Sequence, residues 1–348
     1  MCSFVAYTTK GNPSKSALIP SIQSQDHLMP SPQEILTAEL QEVECRMRQE
    51  MEADQGASVV SSLCQSVLSS GGKRLRPRLT LMCMHLLHPD PDEKEHEMGC
   101  ACACAIELLH TATLVHDDVI DESRLRRGQP TINARVSSHA AVLAGDYLFT
   151  RCFHLLRSLE SMDIFALAAR AVSLLVSGEL QQQLQQGQLD MTLEDYRQTI
   201  YCKTGAMFAL ACQSPAIYLK ARKPELEALG KFAEAFGAAF QMRDDLLDYL
   251  SDTTSLGKQV GDDLNAGRVT LPLLLTLRDC PEERRAELEQ AVRHARLETV
   301  LNFIRDTGAI SSSRALLSQY IDEAVKALEA FTPGPWRTAL EDLARAQL

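Results

Sequence analysis

From about residue 31 to the C-terminus, apolar residues recur at intervals of three and four, and almost no stretch alternates apolar with polar. That is the helical period, so the chain is confined to an all-α fold. Pro32, Pro224 and Pro281 each stand just before an acid-containing helical stretch, where proline suits a first turn. Thr192 with Asp195 reads as a capping pair. Loops are expected at Gly71-Gly72, from His88 to Asp92, around Arg127-Gly128-Gln129-Pro130, and from Asp252 to Gly267. With no repeat of fixed period and no long linker after residue 31, residues 31–348 read as one helical bundle. Residues 1–30, rich in Ser, Pro and Gly, read as a flexible N-terminal extension. No arginine precedes Arg46, so the expected compartment is the cytoplasm, with mitochondrial or plastid import as the alternative.

The formal charge of -11 argues against a nucleic-acid partner, which needs a basic footprint, so any phosphate site must be local. Eleven cysteines, an odd number with no C-x-x-C pair, read as reduced thiols. Cys100, Cys102 and Cys104 lie among alanines in an apolar run and read as small core residues rather than metal ligands. No uninterrupted apolar stretch approaches a membrane span. Through Gln181 to Gln188, Leu180 and Leu184 keep a helical spacing, so the glutamines read as the polar face of a core helix.

Chemistry enters with the acids. In His116-Asp117-Asp118-Val119-Ile120-Asp121, helical spacing puts Asp117 and Asp121 on one face with Asp118 beside them, inside an otherwise apolar run. Two carboxylates about 4 Å apart repel by about 4 kcal/mol at an effective dielectric near 20, so a cation should offset them. The same D-D-x-x-D spacing returns 127 residues later at Asp244, Asp245 and Asp248, again among Phe236, Phe240, Leu246 and Leu247. One such cluster could be a helix end; two point to function. Oxygen donors suit Mg²⁺, which usually takes one or two carboxylates together with phosphate oxygens and water. The pattern argues against an EF-hand, which needs a loop with a central glycine, whereas these acids lie in helical runs.

Bases gather beside the acids: Lys73, Arg74, Arg76 and Arg78 after Gly71-Gly72, Arg124, Arg126 and Arg127 after the first cluster, and Lys258 after the second. Singly each reads as a solvated charge. Together they suggest one anionic ligand held through metals and another held mainly by cations, with arginine's planar fork suited to phosphate.

These segments resemble a family, the trans-polyprenyl diphosphate synthases of the long-chain octaprenyl, hexaprenyl and decaprenyl type, which are related to farnesyl and geranylgeranyl diphosphate synthases. The resemblance rests on G-G-K-R-L-R-P at 71–77, L-L-H-T-A-T-L-V-H-D-D-V-I-D-E-S at 108–123, R-R-G-Q-P-T at 126–131, K-T at 203–204, Q-M-R-D-D-L-L-D at 241–248 and G-D-D-L-N-A-G-R-V-T-L-P at 261–272. It implies a bundle of long helices around a central cavity, a homodimer with a hetero-oligomer as the alternative, and about three Mg²⁺ held between the two acidic clusters. Asp117, Asp118 and Asp121 would bind Mg²⁺ facing the allylic diphosphate, with Asp244, and with it Asp245 and Asp248, on the opposite wall. Lys73, Arg76, His110 and Arg127 would hold isopentenyl diphosphate. Arg126, Lys203, Thr204, Gln241 and Lys258 would hold the allylic diphosphate, Lys203 serving also in catalysis. Two residues depart from the pattern: Arg243, where an apolar residue is usual, and Arg268, where lysine is common.

The implied reaction ionises the allylic C–O bond and captures the cation with isopentenyl diphosphate, with no enzyme nucleophile. Ala112 and Thr113 stand five and four residues before Asp117, about 6–8 Å down the helix, where short-product relatives carry aromatics. Small side chains there imply a long product of about C30 to C50, the size of quinone side chains, and transient membrane contact for its release. Two rival readings are a non-catalytic partner subunit, disfavoured by the intact acids and bases, and a terpene cyclase or squalene-type synthase, which lacks the isopentenyl diphosphate site.

Overall fold

The computed structural model describes residues 30–52, 58–250 and 261–348, and its helices follow the punctuation of the sequence. Helix α1 (Pro32–Glu52) starts on its proline, with Ser31 Oγ accepting from the Glu34 N–H and the Glu34 carboxylate accepting from the Ser31 N–H. Helix α2 (Ser58–Leu68) runs into Gly71-Gly72, and α3 (Leu75–Leu87) stops at His88. Asp92 and Glu95 form a reciprocal capping box that starts α4 (Glu93–Ile120). Beyond α4, the loop expected around Arg127–Pro130 is a turn at Arg127-Gly128 followed by the second strand of a minimal antiparallel ladder. Strand β1 (Leu125–Arg126) pairs with β2 (Gln129–Pro130), Arg126 lying opposite Gln129.

Helices α5 (Ile132–Arg135), α6 (Ser138–Ser158) and α7 (Met162–Leu184) each open on a Ser or Thr whose hydroxyl accepts a first-turn N–H. The Thr192–Asp195 capping box starts α8 (Leu193–Ile200), which continues through one π-helical turn, Tyr201–Gly205, into α9 (Ala206–Tyr218). Then come α10 (Lys223–Leu250), the short α11 (Asp262–Asn265), α12 (Leu271–Asp279), α13 (Glu282–Arg293), α14 (Leu297–Asp306), α15 (Ala309–Ala327) and α16 (Pro335–Arg345). The all-α expectation is met, the two-residue strands aside.

Helix α4 packs against α6, α3, α1 and α9, which is why it is apolar nearly all round. Its mean hydropathy and length would allow a membrane crossing, although Glu107 and His110 interrupt the apolar run. Its most apolar eighteen residues are 89% buried inside the protein. Cys102, Cys104, Leu108 and Ala112 are fully buried there. Helix α10 serves two apolar clusters, Phe232 and Phe236 packing with Phe208 in one and Met242, Leu246 and Tyr249 packing with Leu264 and Leu271 in the other. At Gly237 the backbones approach so closely that a Cβ would lie 2.9 Å from the Gly205 Cα. Only glycine there lets α10 lie against the π turn that carries Lys203 and Thr204. Both acidic clusters therefore sit at the C-terminal ends of 28-residue helices braced from several sides.

Candidate active site

Helix C-termini carry partial negative charge, so placing carboxylates there adds repulsion to repulsion. Asp117 and Asp118 occupy the last turn of α4, and Asp121 is its C-cap rather than a residue of the helix itself. Asp117 is pushed up to about 6, first by burial and then by the charges of Glu179 and Asp121, against the pull of Lys203 and Arg126. Asp118 is also raised by burial, although Arg126 Nε donates to its Oδ1 at 2.7 Å. The Asn133 amide donates to the carbonyls of Asp118 and Ser123, at 3.0 and 2.9 Å, and fixes the chain where it leaves α4.

The second cluster closes the last turns of α10. Asp245 is 3% exposed and accepts three bonds, from the Tyr196 hydroxyl at 2.7 Å, the Gln241 amide at 2.9 Å and the Leu271 N–H at 3.3 Å. Its carboxyl is nevertheless raised to about 7, by burial first and Asp263 second. Asp244 is exposed and Asp248 half-buried, and the Asp263 N–H lies 3.3 Å from Asp248 Oδ2. Arg268 joins the two walls: its Nε donates to Asp263 at 2.9 Å and its Nη1 lies 4.0 Å from Asp121. The acids that the sequence places 127 residues apart thus share one space.

Between them stands the π turn, a local geometry that is frequent at functional sites. Lys203 extends from it to Glu179 at 3.0 Å and Gln182 at 2.8 Å. The Thr204 hydroxyl donates to Gln241 at 2.8 Å, completing a chain from Thr204 through Gln241 and Asp245 to Tyr196.

The bases that follow Gly71-Gly72 and the first acidic cluster gather near His110. Arg74, buried and in the left-handed region at φ 46°, pairs with Glu107 at 2.9 Å and Glu44 at 3.4 Å. Arg76 starts α3 with its guanidinium 4.8 Å from the centre of the Phe208 ring. Burial lowers Arg76 to about 10, against the pull of Glu107, and its Nε has no hydrogen-bond partner among the described residues. Arg127, also left-handed at φ 52°, donates to the Gly71 carbonyl and lies against Gly72, where a Cβ would be 2.6 Å from the guanidinium. Such strained arginines cost about 1 kcal/mol each and collect at functional sites. Burial holds His110 well below its ordinary range, and Arg76, Arg127, Arg126 and Arg74 add to the effect. His110 thus stands near four guanidinium groups, of which Arg74 is paired with Glu107 and Glu44 and Arg126 with Asp118. Lys73 is exposed beside it.

Thr113 lies one turn below Asp117 and gives its hydroxyl to the His110 carbonyl; Ala112 is wholly buried next to it. Lys258 lies outside the described residues. Sequence reasoning missed Glu107, Glu179, Gln182, Tyr196 and Asp263. Glu107 was legible as an acid in an apolar run, and Asp263 lies within a motif already singled out. Glu179, Gln182 and Tyr196 carry no pattern that points at the site. The stretch from Gln181 is not the polar face of a helix whose leucines enter the core, because Leu180 and Leu184 are exposed; Gln182 accepts from Lys203 and Gln186 donates to the Ala266 carbonyl.

The polyprenyl synthetase family model matches residues 57–305, which include both acidic clusters, the π turn and the arginines around His110. This chain belongs to the polyprenyl synthetase family. Among relatives of the polyprenyl synthetase, octaprenyl diphosphate synthase of Escherichia coli K12 is 37% identical over 290 residues, covering 82% of this chain and 88% of that protein. All-trans-nonaprenyl-diphosphate synthase (geranyl-diphosphate specific) of Rhodobacter capsulatus is 39% identical over 84% of this chain and 89% of its own. A decaprenyl diphosphate synthase structure from Rhodobacter capsulatus superposes with TM-score 0.83 at 32% identity, covering 91% of this chain and 97% of that one. A polyprenyl synthase from Caulobacter crescentus CB15, complexed with calcium and isoprenyl diphosphate, gives 0.82 at 33% identity, with 91% and 96% covered. The two departures from the polyprenyl synthetase pattern have plain places. Arg243 reaches away from the acids and donates to Gln347 at 3.1 Å, and Arg268 pairs with Asp263 and Asp121.

Proposed function

We propose that this polyprenyl synthetase elongates an allylic diphosphate, farnesyl or similar, by successive head-to-tail condensation with isopentenyl diphosphate. The observation that carries the reading is the pair of carboxylate clusters facing one another, bridged by Arg268, beside an arginine-rich pocket around a neutral His110.

The donor set fits a hard divalent cation. Asp117, Asp118, Asp121, Asp244 and Asp248 offer oxygens only, and Asp117 is raised by burial first and then by the charges of Glu179 and Asp121, which a cation would offset. Asp245, already holding three protein donors, supports the wall from behind. When bound, Mg²⁺, about three per site, would supply Lewis-acid stabilisation of the leaving diphosphate. The chain's own residues do the rest. Arg76, Arg127, Lys73 and His110 fix isopentenyl diphosphate, the unpartnered Arg76 Nε having a donor to give. Arg126, Arg268 and Lys203, each now paired with a carboxylate, would exchange that partner for phosphate oxygens of the allylic diphosphate. Thr204 and Gln241 position the π turn under the allylic diphosphate. The allylic C–O bond then breaks in a site that supplies no nucleophile of its own, the double bond of isopentenyl diphosphate captures the allylic cation to form the new C–C bond, and the departing diphosphate takes the proton that the resulting cation loses.

Small Ala112 and Thr113, together with octaprenyl, nonaprenyl and decaprenyl synthases as relatives, favour a product of about C30 to C50, suited to quinone side chains. Exposed Val142, Leu143 and Phe153 on α6 and Met162, Val176, Leu180 and Leu184 on α7 favour self-association as a homodimer. We place the enzyme in the cytoplasm, meeting membrane transiently to release its product. The test is incubation of purified protein with farnesyl diphosphate, labelled isopentenyl diphosphate and Mg²⁺, with and without EDTA. An EDTA-sensitive ladder of products is expected. No elongation by a folded sample would favour the non-catalytic partner-subunit reading instead.

A further inference from the structure

We propose that Glu42, His96 and Cys100, backed by Glu39, form a zinc site that ties α1 to the start of α4, far from the diphosphate chemistry. His96 and Cys100 stand four residues apart on α4 and so share a face, while Glu39 and Glu42 stand three apart on α1. One ligand atom from each of Glu42, His96 and Cys100 lies within 4.8 Å of the others. His96 Nε2 is 3.9 Å from Cys100 Sγ, 3.7 Å from Glu42 Oε2 and 3.5 Å from Glu39 Oε1. In a tetrahedral zinc site with bonds of about 2.3 Å to sulfur and 2.0–2.1 Å to nitrogen and oxygen, the corresponding separations are about 3.5 and 3.3 Å. The separations from His96 are therefore within about half an ångström of coordination spacing, and Glu42 and Cys100, within 4.8 Å of each other, would draw together around the ion.

A second observation points to a missing ligand. Glu39 is 4% exposed, and its Oε2 is buried with no hydrogen-bond partner among the described residues. A buried carboxylate oxygen left unpaired is costly, and a cation at this place would satisfy it. The other oxygen, Oε1, is 2.8 Å from His85 Nε2, and the His85 ring is stacked on Trp336 at 4.2 Å with its Nδ1 3.3 Å from the Pro89 carbonyl. Glu39 is thus oriented by a fixed histidine, the arrangement that positions ligands in metal sites. The neighbouring cation, Arg46, is engaged by Glu97.

A thiol, an imidazole and carboxylates form a borderline donor set suited to Zn²⁺, unlike the all-oxygen clusters of the active site. Asp117 follows His96 by 21 residues of the same helix, about 30 Å along its axis. Cys100 is buried while His96 and Glu42 are partly open to solvent, so an ion could enter from outside. The expectation that Cys100 merely packs the core accounts for its burial but not for what its sulfur faces.

The test is titration of the full, reduced chain with Co²⁺ in excess Mg²⁺, which the carboxylate clusters cannot answer with a sulfur signal. One equivalent giving a near-ultraviolet thiolate-to-cobalt band, displaced by Zn²⁺, is expected. His96→Ala and Cys100→Ser should abolish the band, and the surface change Glu42→Gln should weaken Zn²⁺ binding at least tenfold with the fold intact. Absence of the band in the unaltered protein, or a band that persists in His96→Ala, would overturn the assignment.

Discussion

Replacing Tyr196 by phenylalanine isolates one bond in the second carboxylate wall. The buried hydroxyl lies 2.7 Å from Asp245, and its removal leaves the ring and its packing in place. Asp245 is raised from 3.8 to about 7. Between those values the folded state holds a proton that the unfolded state has lost, so stability falls as pH rises through the window and levels off above it. The Tyr196 hydroxyl favours the ionised form, because a hydrogen bond to a charged acceptor contributes about 1.5–3 kcal/mol against about 0.5–1.5 for a neutral one. Tyr196→Phe should therefore cost about 1 kcal/mol near pH 5 and about 2 near pH 8.5, which raises the Asp245 carboxyl by about one further unit. Urea unfolding of both proteins in EDTA from pH 5 to 9 measures the difference directly. A gap that widens with pH supports the account, and a gap that stays constant refutes it.

Asp117→Asn removes a carboxylate raised to about 6 by burial, Glu179 and Asp121. It should stabilise the metal-free protein at pH 8 by about 1–2 kcal/mol in chemical denaturation while lowering kcat at least about 100-fold. His110→Ala should raise the KM for isopentenyl diphosphate about tenfold or more. It should leave the pH–rate profile between pH 6 and 8 unchanged, since a histidine held well below its ordinary range is already neutral there; a lost ionisation would contradict that. Ala112→Phe should shorten the product on chromatography, and an unchanged ladder would remove Ala112 from the control of chain length.

Much of this architecture was legible because helix signals are local. The Thr192–Asp195 cap, the prolines at 32, 224 and 281, and the glycine break at 71–72 all act where they stand. Repetition of the acidic spacing in two apolar helices marked the site, since no packing reason calls for it. What the sequence could not show is which cation each acid meets. Arg126 on Asp118, Lys203 on Glu179 and Arg268 across Asp121 and Asp263 depend on how distant helices approach, as does the Gly237–Gly205 contact that places the π turn. The strands at 125–130 were hidden because two-residue pairs leave no alternation to read. Glu107 stands in the apolar run before the first cluster and supports the arginine wall, a role visible only once Arg74 is seen folded back on it.

The most direct test of the two-wall site is initial-rate measurement on Asp244→Asn beside the unaltered protein, with farnesyl diphosphate, labelled isopentenyl diphosphate and Mg²⁺. The account predicts a fall in kcat of at least about 100-fold, with the KM for isopentenyl diphosphate changed by no more than about threefold, because Asp244 stands on the wall away from the arginine pocket. Turnover within about threefold of the unaltered protein would contradict a mechanism that needs carboxylates from both walls.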